Sequence, residues 1–154
     1  MIRSPSQPEQ TLAIRTLHTQ VRQLLASLPE QCPTLRSYVL IERGLHPKLG
    51  WLAKQLEHTA ARAILFENTP ETHLAETLSP WLVTIPQPID DGQLYVLCNA
   101  AQQFGGICWI WSTWPLPRLA NHLRTFMGGT LHNAATQEEE GEIALRLTDA
   151  RVFP

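Results

Sequence analysis

Charge is scarce in this chain. Asp, Glu, Lys and Arg together make up 17% of its 154 residues, against about 25% in an ordinary soluble domain. A surface that poor in charge is either shared with a partner or cut from something larger. The net charge of −2 leaves no basic field along which a nucleic-acid backbone could lie. Apolar residues reach 44%, yet no apolar run approaches the ~20 residues that cross a bilayer. The opening MIRSPSQPEQ carries no apolar signal core. Cys32, Cys98 and Cys108 are too few and too scattered for a disulfide framework, so the expected compartment is the cytoplasm, with reduced thiols.

Reactive motifs are equally sparse. His18, His46, His58, His73, His122 and His132 show no ligand spacing on one helix face, and there is no Cys-x-x-Cys. Neither a metal nor any other cofactor is therefore expected. There is no G-x-S-x-G elbow. Gly105-Gly106 precedes an apolar run and Gly128-Gly129 follows a helical pattern, whereas glycines that cradle phosphate follow a strand and open a helix. Glu138-Glu139-Glu140 reads as a solvated tip rather than as paired catalytic carboxylates. Cys108 falls in a run that should be buried, where a thiol is a small inert hydrophobe. The chain is not expected to be an enzyme. The rival reading is a small hydrolase or transferase using Cys108 or a dispersed Ser/His set.

What is present is a pattern of layers. Residues 104–127, FGGICWIWSTWPLPRLANHLRTFM, read as a strand feeding an amphipathic helix. Ile107, Trp109 and Trp111 alternate with Cys108, Ile110 and Ser112, so both strand faces are mostly apolar, which predicts a central position in a sheet. Ser112 or Thr113 is placed to cap the helix, and Pro115 suits its first turn. Leu116, Leu119, Ala120, Leu123, Phe126 and Met127 form a core stripe that Gly128 and Gly129 end.

Upstream, a capping-box spacing at Ser6 and Glu9 opens a helix carrying Ile14, Leu17, Val21, Leu24, Leu25 and Leu28, until Pro29 and Pro33 break it. SYVLIE (37–42), ARAILF (61–66) and WLVTI (81–85) read as strands. Helices are expected from about His46 to Glu57, with Leu45 on the core stripe; from Thr69-Pro70, with Leu74, Ala75 and Leu78 inward; and from Asp90 or Asp91, with Leu94, Leu97, Cys98 and Ala101 inward, until Gly105-Gly106 release the chain. The alternation at Ile143, Leu145 and Leu147 after the polar run 136–141 predicts a strand and an antiparallel hairpin near the C-terminus. The pattern is that of a layered single α/β domain with helices packed on a sheet of short strands. Residues 1–36 would form an N-terminal helical piece packed on a domain of residues 37–154.

Some side chains stand outside these stripes. Trp51 lies off its helix stripe and either packs on a loop or anchors an interface. The outer face of the helix after Ser112 carries Arg118, Asn121, His122 and Thr125, with Arg124 at the stripe's edge. Arg146, Asp149 and Arg151 could pin a chain crossing with charge-assisted bonds, or could bind.

Taken in order, several of these segments resemble a known family. They are Tyr38–Gly44, Ile64–Pro70, Pro80–Val83, Phe104-Gly105-Gly106, the strand ending at Ser112, Leu119–Phe126 and Arg146–Val152. The chain is similar to the amino-terminal domain of the adaptor, or effector-chaperone, proteins of bacterial type VI secretion systems. The resemblance runs from Ser37 to the end. It departs at Arg43, where relatives carry a small or acidic residue, and at Thr148 and Ala150, where they carry an aromatic and a proline. It also stops where relatives continue into a helical second lobe. The resemblance implies a non-enzymatic protein whose partners are an effector toxin and a spike protein. The candidate partner-binding residues are Trp51, Trp114, Arg118, His122 and Arg124. A third reading, a structural subunit that docks a helix into another protein's groove, differs from this one only in the partner.

Overall fold

A strand whose consecutive side chains are all apolar has to be covered on both faces. In the computed structural model of this chain Tyr38, Val39, Leu40 and Ile41 are each at most 1% exposed. They belong to β1 (Arg36–Ile41). The structure describes residues 7–57, 60–66, 78–132 and 139–144. In chain order its elements are α1 (Gln7–Gln31), β1, a 3₁₀ turn (Arg43–Leu45), α2 (Pro47–Glu57), β2 (Arg62–Ile64), β3 (Trp81–Thr84), α3 (Asp91–Phe104), β4 (Ile107–Ser112), α4 (Leu116–Arg124), β5 (Gly128–His132) and β6 (Glu139–Ala144). The result is a mixed α/β domain. Its main sheet has the order β2-β3-β1-β4 with every neighbouring pair antiparallel, and β5 and β6 form a separate antiparallel pair.

The register divides the main sheet into two faces. Val39, Val83 and Trp109 lie in one row, and Ile41, Trp81 and Ile107 in the next but one, all on the first face. Here α1 contributes Ile14, Val21 and Leu25, α2 contributes Leu49, Leu52 and Leu56, and α3 contributes Leu94, Leu97 and Cys98. On the second face, Tyr38, Leu40 and Leu82 meet Leu119 and Ala120 of α4, and Met127 just beyond it. The sheet is thus the middle layer of three, with α4 on its own side.

The expected centre of the sheet moves. β4 lies at the end of the strand order and β1 sits inside it. Apolarity on both faces reports that helices cover both sides of the strand. It carries no information about how many strands flank it. Other expectations shift by a turn. α1 runs past Pro29 to Gln31, because Cys32 N donates to Leu28 O at 2.9 Å and supplies the closing bond. Leu24 and Leu78, expected inward, are largely exposed, and Leu45 lies in the 3₁₀ turn rather than on the α2 stripe. Asp90 caps α3 as expected, its Oδ1 accepting from Gln93 N at 3.0 Å. Ser112 caps a turn rather than a helix, since its Oγ accepts from Trp114 N; Pro115 itself is the N-cap of α4.

The end of α4 also differs. After Arg124 the chain tightens to three-residue bonds, Thr125 N to His122 O, Phe126 N to Leu123 O and Met127 N to Arg124 O. Phe126, expected on the core stripe, is 45% exposed. Gly128 and Gly129 open β5 instead of merely ending a helix, and β6 starts earlier than expected, at Glu139. The expected helix from Thr69 lies outside the described residues, apart from Leu78. So do Leu145, Leu147 and the closing residues Arg146, Asp149 and Arg151.

Candidate interaction surface

Trp114, Arg118, His122 and Phe126 recur at four-residue steps, and α4 turns that spacing into a ladder on its outer side. The Arg118 guanidinium lies 4.4 Å from the centre of the Trp114 ring. His122 meets Trp114 edge-on at 5.1 Å, and Phe126 meets His122 edge-on at 5.0 Å. These are favourable geometries for rings and cations. Arg118, His122 and Phe126 are exposed and Trp114 is partly so. The ladder's upper end is fixed from beneath, because the Tyr38 hydroxyl of β1 donates to the Trp114 carbonyl at 2.7 Å. Phe126 was not among the sequence candidates. One more step of the 114-118-122 spacing is the signal that finds it.

The other two candidates lie elsewhere. Arg124 donates to Ile64 O of β2 and to Asn121 Oδ1, both at 2.6 Å, so its guanidinium fastens α4 to the sheet. Trp51 is 60% exposed but belongs to α2, in the layer across the sheet from α4. The five candidates therefore do not form one surface. Trp114, Arg118 and His122 come together, Arg124 positions their helix, and Trp51 stands alone.

Two groups with the look of chemistry have structural roles. His18 Nε2 lies 3.2 Å from Asp91 Oδ1, and Arg22 lies 2.9 Å from the same oxygen, tying α1 to α3. Among the described residues, no three His, Cys, Asp or Glu side chains gather as a ligand set. Cys108 is half-buried, its Sγ faces the Trp109 carbonyl at 3.8 Å, and burial raises its pKa. Burial pushes the fully covered Cys98 thiol up to about 11.

Both shifts have measurable consequences. A raised pKa leaves little thiolate near neutral pH, and the thiolate is the reacting form. A mild aromatic disulfide reagent at pH 8 is expected to label Cys32 first, and Cys98 and Cys108 only as the fold opens. Fast native-state labelling of Cys108 would instead favour the hydrolase or transferase reading. The folded state holds the Cys98 proton more tightly than the unfolded chain does. The stability from that thiol is therefore complete below the unfolded value of about 8.5 and falls as pH climbs toward about 11. Cys98→Ala should flatten that alkaline decline in urea melts.

The family model described as "Domain of unknown function (DUF4123)" matches residues 37–154. The chain belongs to the DUF4123 family. No curated protein and no solved structure matches it. The DUF4123 match starts at Ser37, the second residue of β1, so it takes in the whole ladder and leaves α1 outside. α1 nonetheless supplies Ile14, Val21 and Leu25 to the first core. Among the described residues of this DUF4123 chain, no helix is long and apolar enough to cross a membrane.

Proposed function

We propose that this DUF4123 protein is a non-enzymatic adaptor. It binds a secreted toxic effector in the bacterial cytoplasm and helps load it onto the spike of a type VI secretion system. The family match and the ordered motifs from Tyr38 onward support the class of function. The observation that carries the mechanism is the ladder on α4. Its aromatic rings contact one another, with His122 and Phe126 exposed and Trp114 partly so, as anchors of an interface are presented. Residues 1–36 act as a brace for the adaptor domain of residues 37–154.

Co-expression with the effector and spike proteins encoded beside the gene is expected to give a complex that survives gel filtration. Phe126→Ser combined with His122→Ala, both at exposed positions, should weaken effector binding by about tenfold or more and leave the melting temperature nearly unchanged. Separate elution of the unmutated proteins at micromolar concentration would sink the adaptor reading.

A further inference from the structure

The stretch from Gly92 to Gln137 contains no Asp or Glu, although the chain has 14 and carries a net charge of −2. That stretch supplies most of α3, all of β4, α4 and β5, and the whole ladder. Its two strong cations have different fates. Arg124 is bonded to Ile64 O and Asn121. Arg118 is exposed, rests on the Trp114 ring and, among the described residues, pairs with no carboxylate.

A guanidinium laid against an indole keeps its in-plane N–H donors free at the edge. That edge is the part that grips a carboxylate with two parallel bonds. The ring also orders the side chain beforehand, so less conformational freedom is lost when the carboxylate arrives. One turn along the helix, His122 and Phe126 offer ring edges and apolar surface, and the nearby Asn121 and Thr125 bring no negative charge.

We propose that the α4 ladder receives a short acidic segment of the protein partner. A Glu or Asp would sit in the fork of Arg118, and a neighbouring apolar side chain would pack on His122 and Phe126. The inference rests on the adaptor reading for the partner's identity, but its chemistry can be tested without that partner.

The probes are two synthetic peptides with the same leucine spacing, one carrying glutamates and the other lysines. Binding to the full chain is followed through the Trp114 indole proton resonance, assigned by Trp114→Phe. The glutamate peptide is expected to shift that resonance saturably, and added salt should weaken the effect. Arg118→Ala should reduce affinity about tenfold or more, as loss of a charge-assisted bond does. Arg118→Glu should abolish binding, and Arg118→Lys should restore only part of it because the fork is missing. Equal binding of both peptides, binding of neither, or indifference to Arg118→Glu would overturn the proposal. So would anionic vesicles or a DNA oligonucleotide binding as strongly as the glutamate peptide and with the same Arg118 dependence. If the glutamate peptide binds as described but no effector co-purifies, the adaptor reading fails and the surface chemistry stands. If the effector binds with full affinity to Arg118→Glu, the reverse holds.

Discussion

Replacing Gly106 by alanine is expected to destabilise the protein by about 2–5 kcal/mol, while the same change at Gly105 should cost only about 1–3 kcal/mol. Both residues have positive φ, 63° at Gly105 and 67° at Gly106. Both therefore pay the backbone strain of an L residue there. They differ in what a new methyl group would meet. At Gly105 nothing lies within 4 Å. At Gly106 the methyl would approach Leu45 Cδ1 to 2.7 Å, Leu49 Cδ1 to 3.1 Å and Glu42 Cβ to 3.3 Å. Leu45 is exposed enough to swing aside, but Leu49 is fully buried. The backbone is constrained as well, since Gly106 O accepts from Glu42 N at 2.8 Å and so helps to hold β4 beside β1. Urea melts of the two variants check the difference. Leu45→Ala in the Gly106→Ala background should recover part of the loss. Equal destabilisation by the two alanines would mean that crowding plays no part.

Trp81→Ala should have an effect as large, about 3–5 kcal/mol, out of a total stability of about 5–15 kcal/mol for a domain of this kind. Trp81 is nearly fully buried in β3 and packs in the core beneath α1, α2 and α3. The guanidiniums of Arg43 and Arg62 each lie 3.9 Å from its ring centre. Removing the ring opens a large cavity and takes away the aromatic surface on which both cations rest. Trp81→Phe keeps an aromatic face at that place. It also forfeits no hydrogen bond, because the indole Nε1 of Trp81 has no partner among the described residues. Phenylalanine should therefore cost about 1–2 kcal/mol, chiefly in volume. Chemical denaturation of the two variants gives the comparison. A loss near 1 kcal/mol for Trp81→Ala would show that the ring is not central to the core.

The elements were legible where local composition decides them. Tyr38 to Ile41 could only be a covered strand. The Asp90 cap, Leu49, Leu52, Ala53 and Leu56 of α2 and Leu94, Leu97 and Cys98 of α3 follow from spacing alone, whereas Ala100 rather than the expected Ala101 is the buried alanine of α3. The order of strands was not legible. It depends on which segments meet across long stretches of chain, and the same doubly apolar pattern fits β1 inside the sheet and β4 at its edge. The candidate surface was legible in part for a related reason. Arg118 and His122 share α4 and Trp114 lies just before its N-cap, so their four-residue spacing predicts their meeting. Phe126 escapes because spacing assigns it to the core stripe, although it also lies one four-residue step beyond His122. Trp51 groups with them because it too lies off its helix stripe, and only the layering of the fold shows that the sheet stands between. Arg124 reads as a partner-binding candidate because its acceptor, the carbonyl of Ile64, is sixty positions away.

The bond from the Tyr38 hydroxyl to the Trp114 carbonyl joins a strand inside the sheet to the first residue of the ladder. On the adaptor reading proposed above, a substitution at Tyr38 would alter partner binding as well as stability. Changes to this part of the interior and changes to the α4 ladder cannot proceed independently.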